Sequence, residues 1–507
     1  MTSTGAHPNQ ESSHDRRHDA LALDLGSSSV RGVLGRYQDG VVTTQEVHRT
    51  HHQVMERDGY LTWDLALILE GVRRSIEAAT TLTGRLPDSI GTDTWGVDYG
   101  LLGTDGTLLR APRAYRDARS SRWAAELDAR LDPAAAWRAT GVLPQQINTI
   151  YQLFADLREE PDLTDRVGTL LPLPDLIAHL MGAPAKVGRT IASTTGLARP
   201  GADAWSQPVL MAAGIPMGWL PEIVDDATLA GRTAEGIDIV RPGGHDTACA
   251  VHVLGLGPEE VRMFISSGSW SLVGATLPEP VVTDAARRAG LTNEVRTDGG
   301  VRLLRNLTGF WLLQECQRAW DEEDTQALLD AASEVHSLGA VIDPDDPAFV
   351  RPGRMPDKIA NWCLEHYGLR PTDRAQTVRL ILESLACAHA NYAYLLHDVV
   401  GDRLDPAAPI HLVGGGARNT LLVQMTASAC HRPVIAGPTE ASALGNILAQ
   451  LEATGVIAPS ERADVIARSV SPQRIEPGDA APFDAMRERL RSATASCPSP
   501  TTYPTTR

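Results

Sequence analysis

Three glycine-rich turns in this sequence have the residue types that bind phosphate. Gly26 precedes the serines 27–29, Gly268 precedes Ser269, and a third turn is the glycine run 414–416. Glycine lets the backbone approach an anion closely, successive N–H groups can bind it, and serine hydroxyls add donors without charge. Each turn taken singly is typical of an ordinary tight turn. All three together, each after a predicted strand, favour phosphate binding.

Two aspartates next to glycine-rich turns could supply the carboxylates of a phosphoryl-transfer site. Asp24 interrupts an apolar strand just before the first turn, and an unpaired buried carboxylate is costly. It either makes an Asx-type turn bond or reaches Mg²⁺ through water, since Mg²⁺ prefers oxygen ligands and keeps several waters. Asp246 follows the turn 243–245 and precedes Thr247. It is either a simple turn aspartate or a general base for a hydroxyl nucleophile.

A third candidate is the segment from Trp95 to Asp98, which follows a predicted strand. An aromatic face beside a carboxylate would suit one wall of a polyol pocket. The same residues are equally typical of a packed aromatic followed by a turn.

Composition excludes several classes of function. The formal charge of −17 argues against a nucleic-acid or anionic-membrane surface, because such surfaces need clustered positive charge. The only lysines are Lys186 and Lys358, and neither stands in the Walker phosphate loop, so arginine, hydroxyls, backbone amides and a metal ion remain to neutralise phosphates. The six cysteines form no C-x-x-C pair and no disulfide framework. With no secretory signal and no apolar run long enough to span a membrane, we expect a cytoplasmic protein.

The predicted elements that must position these residues fall into two similar halves. The first half has strands over 20–25, 30–37 and 41–47, a helix capped by Thr62 or Asp64, and a strand over 89–94. The second half begins, over 263–274, with the same order of strand, glycine-hydroxyl loop and strand. Later segments predict a helix from Pro371-Thr372-Asp373 to about Val399, a strand over 410–413, and a helix over 420–430 capped by Asn419.

This order is strand-strand-strand-helix-strand, which differs from the Rossmann unit, and its repetition indicates a duplicated α/β architecture of at least two domains. We expect residues 1–19 to form a disordered extension, 20–250 and 251–470 to form the two domains, and 471–507 to form a tail that frays after Pro477.

These motifs, in this order over roughly residues 20–470, resemble the FGGY carbohydrate kinases of the actin/hexokinase/Hsp70 superfamily, and most closely those that act on L-rhamnulose. The matching segments are 22–26 (ALDLG), 91–98 (GTDTWGVD), 115–117 (YRD), 148–153 (NTIYQL), 245–247 (HDT), 266–272 (SSGSWSL), Asn306 with 309–314 (GFWLLQ), 413–416 (VGGG), 419–422 (NTLL) and 436–442 (AGPTEAS).

The resemblance implies two actin-like, ribonuclease H-like domains with a catalytic cleft between them. It further implies ATP- and Mg²⁺-dependent phosphorylation of L-rhamnulose at the 1-hydroxyl, with Asp246 as the base and Asp24 near Mg²⁺ through water. By the same resemblance, the phosphate and nucleotide residues would be Ser27, Ser28, Ser29, Val30, Arg31, Ser269, Gln314 and Gly415. The sugar contacts would be Gly96, His245, Asp246, Thr247 and Asn306. Related enzymes often have a small residue at the position of Val30, which leaves open whether Val30 narrows the first phosphate loop.

Two other functions remain open at this stage. The chain could phosphorylate another ketose or polyol, such as L-fuculose, L-xylulose or glycerol. It could also be a non-catalytic, actin- or Hsp70-like ATPase that serves as a scaffold. Nothing in the sequence indicates the oligomeric state.

Overall fold

The computed structural model describes residues 17–494, and two large sheets organise this part of the chain. From residue 17 onward, the first half contains twelve strands. They are β1 (His18–Gly26), β2 (Ser29–Gln38), β3 (Val41–His51), β4 (Val54–Arg57), β5 (Tyr60–Trp63), β6 (Ser89–Thr94), β7 (Tyr99–Gly103), β8 (Val167–Pro172), β9 (Val187–Gly188), β10 (Ile223–Val224), β11 (Thr228–Arg232) and β12 (Asp238–Arg241). Its helices are α1 (Leu65–Thr83), α2 (Arg119–Arg130), α3 (Pro133–Thr140), α4 (Thr149–Glu159), α5 (Leu163–Arg166), α6 (Leu173–Leu180), α7 (Arg189–Ala192), α8 (Gln207–Ala213) and α9 (Asp246–His252).

The second half has fewer strands and longer helices. The strands are β13 (Met263–Ser267), β14 (Trp270–Leu277), β15 (Thr292–Val295), β16 (Val301–Thr308), β17 (Ile410–Val413), β18 (Val434–Ala436) and β19 (Gln473–Ile475). The helices are α10 (Asp284–Arg288), α11 (Trp311–Trp320), α12 (Thr325–Glu334), α13 (Met355–Tyr367), α14 (Arg374–Val400), α15 (Thr420–Cys430), α16 (Ala441–Ala453), α17 (Arg462–Ser469) and α18 (Ala481–Thr494).

The two large sheets repeat one topology, as the sequence predicts. The sheet of the first lobe has the order β11-β12-β6-β1-β2-β3, and that of the second lobe has the order β15-β16-β14-β13-β17-β18-β19. In each lobe the first strand pairs antiparallel with the next strand and parallel with a later one, as β1 does with β2 and β6, and β13 with β14 and β17. This confirms the α/β class and the internal duplication.

Local sequence signals explain the elements nearest the glycine-rich turns. Asp64 caps α1, because its side chain accepts a hydrogen bond from the Leu67 amide at 3.1 Å, so Asp64 rather than Thr62 begins the helix. Asn419 caps α15 in the same way, through the Leu422 amide at 3.0 Å. Both helices bury an apolar face against their lobe's sheet or neighbouring helices.

The two lobes share a helix contact behind the sheets. Helix α16 belongs to the second half, yet it packs on β1 and crosses α9 of the first half. At the crossing a Cβ on Gly445 would lie only 1.8 Å from the Cys249 carbonyl oxygen, so only glycine allows this approach. Asn446 and Gln450 donate hydrogen bonds to the Gly91 and Leu21 carbonyls. The buried side of α16 therefore binds the backbone of the opposite lobe.

The ends of the chain differ from expectation. Residues 1–16 and 495–507 lie outside the described residues, but His18 and Asp19 already belong to β1 and are not part of an extension. The tail does not fray throughout: β19 adds to the second sheet before Pro477, and after it α18 buries Phe483, Met486 and Leu490 in the second core. Within the described residues, no helix is long and apolar enough to cross a membrane.

Candidate active site

Three aspartates converge at one edge of the first sheet. Asp24 lies near the end of β1, Asp93 lies opposite it on the parallel strand β6, and Asp246 begins α9. The next residue of β6, Thr94, bridges to His245, which places Asp246 at the same edge. The carboxyl ends of parallel strands are the usual location of ligand sites in α/β folds. The fold therefore brings three carboxylic acid side chains together at this edge of the sheet.

Asp246 has the geometry of an accessible base. Its side chain is 37% exposed, whereas Asp24 is 5% exposed and Asp93 is fully buried. The Thr247 hydroxyl donates to its Oδ1 at 3.0 Å, and His245 Nε2 lies 3.4 Å from the same oxygen. The surrounding protein raises the pKa of Asp246 by desolvation; His245 lowers it, and the charge of Asp24 raises it further.

Asp24 is held from both lobes. Its Oδ2 accepts a hydrogen bond from Ser442 of α16 at 3.0 Å and contacts the Arg31 guanidinium. Arg31 also donates to Glu440 Oε2 at 2.6 Å. Asp24 is thus a partnered carboxylate, and its hydrogen bonds come from Arg31 and Ser442 rather than from an Asx turn. Arg31 also lies 3.9 Å from Glu46 Oε2, and its side chain is 19% exposed.

Asp93 is a site residue that the sequence analysis left without a role. Its Oδ2 accepts a hydrogen bond from Asn446 at 2.6 Å, and its Oδ1 is buried without a partner. Burial, followed by the charge of Asp24, raises the pKa of Asp93 well above its usual range. The available signal was its place one strand from Asp24, at the end of an equally buried strand.

The first glycine-serine turn divides into exposed and buried residues. Ser27 and Ser28 are exposed, whereas Ser29 is 6% exposed and Val30 is fully buried in the core of the first lobe. The Val30 side chain packs near Gly71 of α1 and points away from the loop. The Val30 side chain therefore does not narrow the phosphate loop, because it belongs to the core.

Three of the residues that the resemblance assigns to the phosphates and nucleotide, Ser269, Gln314 and Gly415, lie on the second lobe. Ser269, at the β13–β14 turn, donates a hydrogen bond to Gln314 Oε1 of α11 at 3.1 Å. The loop that carries Gly415 packs against the end of β13, since a Cβ on its neighbour Gly416 would collide with the Ser267 side chain. Gly415 itself is exposed, and a Cβ there would meet nothing within 4 Å. The second and third glycine turns thus lie side by side.

The turn after β6 is strained and held from three sides. Val97, which follows Gly96, has a positive φ of 70°, a rare conformation for a β-branched residue. Its carbonyl accepts hydrogen bonds from Thr149 at 2.7 Å and Gln152 at 3.2 Å, and its amide donates to Thr194 at 3.3 Å. These contacts fix the backbone at Gly96 in one conformation.

Asp98 is not free to bind a polyol, contrary to one of our two interpretations. It is 1% exposed, and its Oδ2 accepts hydrogen bonds from the indoles of Trp63 at 2.6 Å and Trp95 at 2.8 Å. Burial raises the pKa of Asp98 to about 6. This carboxylate therefore orients the two tryptophans, whose rings are tilted by 46° with centroids 4.3 Å apart.

The other expected sugar contacts come from both lobes. His245 and Thr247 lie directly beside Asp246, while Asn306 lies on β16 and its Oδ1 is buried without a partner. Among the described residues, no hydrogen bond or ion pair joins Gly96 or Asn306 to Asp246. A ligand would have to bridge them.

Known proteins resemble the chain over both lobes. Residues 20–249 match the N-terminal domain, and 263–454 the C-terminal domain, of the FGGY family of carbohydrate kinases. The rhamnulokinases of Klebsiella pneumoniae subsp. pneumoniae and Pectobacterium carotovorum subsp. carotovorum are each 35% identical to it; the alignments cover 86% of this chain and 89% and 88% of those proteins. A crystal structure of xylulose kinase from Lactobacillus acidophilus superposes with a TM-score of 0.75 at 14% identity, covering 94% of this chain and 99% of that one.

The shared fold is the actin-like ATPase fold of sugar kinases, with two lobes that face one cleft. Both domain matches, the extent of the identity and the duplicated topology agree. The chain belongs to the FGGY family of carbohydrate kinases.

Proposed function

We propose that the chain transfers the γ-phosphoryl group of ATP to the 1-hydroxyl of L-rhamnulose, giving L-rhamnulose 1-phosphate and ADP. The observation that carries the proposal is the carboxylate of Asp246, whose side chain is 37% exposed. It lies beside His245 and Thr247, at the sheet edge where the buried Asp24 and Asp93 also lie. The identity to rhamnulokinases supports the choice of sugar.

Asp246 acts as the general base in this proposal. Thr247 holds its carboxylate at one oxygen, and the raised pKa of Asp246 brings its basicity closer to that needed to accept a proton from a hydroxyl. Gly96, His245, Thr247 and Asn306 orient the sugar so that the 1-hydroxyl faces the base. Phosphoryl transfer depends mainly on such positioning and on charge neutralisation.

The phosphates are bound without lysine. The exposed hydroxyls of Ser27, Ser28 and Ser269 and the backbone of the turns at Gly26 and Gly415 supply donors. Arg31 adds a positive charge at the junction of the lobes. Ser29 and Val30 contribute through the backbone, since their side chains are buried. Closure of the lobes would exclude water, which competes with the sugar hydroxyl.

The acids at the sheet edge fit Mg²⁺. Asp24 and the unpartnered Oδ1 of Asp93 are oxygen donors, which Mg²⁺ prefers. Within residues 17–494 no three His, Cys, Asp or Glu side chains are grouped to hold a metal directly, so Asp24 would reach the ion through water. When bound, Mg²⁺ would neutralise charge on the phosphates.

A coupled assay of ADP release over a panel of ketoses and polyols tests the proposed function. We expect L-rhamnulose to give the highest kcat/KM, above L-fuculose, L-xylulose and glycerol, because the proposed contacts at Gly96, His245, Thr247 and Asn306 depend on where each sugar carries its hydroxyl groups. If another sugar or polyol is the best substrate, the kinase activity stands and the assignment of L-rhamnulose is wrong. Sugar-independent ATP hydrolysis would instead support the scaffold ATPase.

Substitution of Gly415 tests the nucleotide side of the cleft. Because a Cβ at Gly415 has open space around it, Gly415→Ala should fold normally yet raise the KM for ATP about tenfold, the order of effect of one methyl group in a binding site. Gly218→Ala is the matched control, since Gly218 is also exposed with open space around it and lies far along the chain from the glycine turns. An unchanged KM for ATP would remove Gly415 from the nucleotide site.

A further inference from the structure

Glu294 lies on β15 of the second lobe, yet its carboxylate contacts His245 of the first. Glu294 Oε2 is 3.0 Å from His245 Nδ1 and 3.0 Å from Arg302 Nη2. Glu294 is 6% exposed and Arg302 is fully buried. Neither residue belongs to the motifs of the sequence analysis, and the proposed function gives neither of them a task.

The charges around His245 determine which ring nitrogen carries the proton. Burial alone would raise the pKa of Glu294, but His245 and Arg302 lower it, so the carboxylate is ionised. An ionised carboxylate only accepts hydrogen bonds, so His245 Nδ1 must donate to it. Arg302 Nη2 lies 3.5 Å from Nδ1, a longer contact than the 3.0 Å that joins Nδ1 to Glu294 Oε2, and it is ion-paired with that Oε2 at 3.0 Å. In the neutral imidazole, the proton is therefore on Nδ1.

The other ring nitrogen of His245, Nε2, is then a hydrogen-bond acceptor beside Asp246. Nε2 lies 3.4 Å from Asp246 Oδ1, so two hydrogen-bond acceptors stand side by side where the sugar is proposed to bind. The charged or titratable groups that contact this imidazole are Asp246, Glu294 and Arg302. Such a pair of acceptors suits two neighbouring hydroxyl groups, each donating to one of them.

Strand β15 is fixed against the first lobe, so the Glu294 contact is precise rather than incidental. On one side of Glu294, the Val295 amide donates to Ser193 Oγ at 2.9 Å. On the other, Asn293 Nδ2 donates to the Gly141 carbonyl at 3.1 Å, and the Asn293 amide donates to the same carbonyl at 2.9 Å. The backbone of Glu294 therefore cannot shift away from His245 without breaking these bonds.

We infer that Glu294, neutralised by Arg302, is a positioning residue that holds His245 with its proton on Nδ1, so that Nε2 accepts a hydrogen bond from a second hydroxyl of the sugar near the reacting one. The inference deepens the proposed function and rests on Asp246 as the base. Without Glu294, the imidazole is free to carry its proton on Nε2. That N–H would donate to Asp246 and compete with the substrate hydroxyl for the base.

The protonated nitrogen can be observed directly in the full-length protein without substrate. Long-range ¹H–¹⁵N correlation spectra of histidine-labelled protein, with His245→Asn to assign the signal, should show the proton on Nδ1. In Glu294→Met, which keeps the side-chain length without an acceptor, the signal should shift toward the Nε2-protonated form. Glu294→Gln, which keeps an acceptor oxygen, should retain the original form. A spectrum unchanged in Glu294→Met overturns the inference, whichever sugar the enzyme uses.

Kinetics separates positioning from a structural role. Glu294→Met should lower kcat/KM for the sugar about tenfold or more, because the imidazole N–H would then compete with the sugar hydroxyl for Asp246. The KM for ATP should be unchanged. Combined with His245→Ala, Glu294→Met should cause no further loss, since its effect passes through that imidazole. Losses that multiply in the double variant, or an equal loss in affinity for ATP, would assign Glu294 to the structure alone.

The chain contains a matched control for this test. Glu452 Oε1 lies 3.1 Å from His252 Nε2 and 2.9 Å from Arg462 Nη1, so it forms a buried histidine-glutamate-arginine group of the same composition at the far end of α9. Glu452→Met should lose stability as Glu294→Met does and leave the His245 signal and sugar kcat/KM unchanged. If it lowers sugar kcat/KM equally, the inference is wrong.

A second variant guards against failure to fold. Glu294→Met leaves the buried charge of Arg302 without a partner, which is strongly destabilising. Glu294→Met combined with Arg302→Met removes both charges at similar volume. It should fold and still show the Nε2-protonated imidazole and the loss of sugar kcat/KM. A double variant with wild-type tautomer and kinetics would overturn the role of Glu294.

Discussion

The Asp246→Asn variant is expected to lose about 10²- to 10⁴-fold in kcat, the usual contribution of a general base. Asparagine keeps the size of the side chain and can still accept the Thr247 hydrogen bond, but it cannot accept a proton from the sugar hydroxyl. ATP affinity should stay within a factor of a few, because Ser269, Gln314 and Gly415 lie on the other lobe and Asp246 is hydrogen-bonded to none of the residues assigned to the phosphates. Steady-state kinetics with nucleotide binding measured by calorimetry checks both expectations.

The pH dependence gives a second test of the same residue. A base must be ionised, so the wild-type kcat/KM for the sugar should fall as the pH drops through the pKa of Asp246. Desolvation raises that pKa, so the acid limb should lie above the usual aspartate range, near 3.9, and Asp246→Asn should not show this limb. Asp484→Asn is a matched control, since Asp484 is similarly exposed and paired with His431 on a remote helix. Near-normal turnover in Asp246→Asn would remove Asp246 as the base.

The elements that carry the glycine turns were predictable because their signals are local. Strands β1, β2, β13 and β14 are apolar runs bounded by glycine and serine, and α15 begins at the asparagine whose side chain caps it. The repeated order of these patterns was enough to indicate two duplicated lobes, which the two sheets confirm.

Elements whose stability comes from distant partners were harder to predict. Phe483, Met486 and Leu490 are spaced along one face of α18, but the polar and proline-rich tail around them resembles a frayed end. Their burial depends on the second core. On α16, the polar residues Asn446 and Gln450 resemble a solvent-facing stripe, yet they bind carbonyls of the first lobe. The residue pattern of one helix does not show which element of the fold that helix packs against.

The candidate site divides in the same way. Asp24 and Asp246 stood next to glycine turns, so their residue types and neighbours indicated a role. Asp93, Glu294 and Arg302 have no such local signal, because their importance arises from strand pairing and from the contact between the lobes. Val30 shows the converse: its place in a motif suggested a ligand contact, but strand alternation points its side chain into the core.

Asp24→Asn is expected to lower kcat about 10²-fold or more at fixed Mg²⁺, the order of effect of losing one preorganised electrostatic group. Asparagine can still accept the Ser442 hydrogen bond, but it lacks the charge that would attract the ion and that balances Arg31. The Mg²⁺ concentration needed for half-maximal rate should rise. The affinity for the sugar alone, measured by calorimetry, should stay close to that of the parent because the sugar contacts lie elsewhere in the cleft.

Glu440→Gln separates the metal role of Asp24 from its ion pair. Glu440 also binds Arg31, at 2.6 Å, but it lies at the start of α16 and is 37% exposed, outside the set of buried acids. If Asp24 acts only by holding Arg31, the two variants should lower kcat equally and leave the Mg²⁺ dependence unchanged. If Asp24 reaches Mg²⁺ through water, only Asp24→Asn should raise the Mg²⁺ requirement. Loss of sugar affinity in Asp24→Asn, with an unchanged Mg²⁺ dependence, would place Asp24 on the sugar and not on the metal.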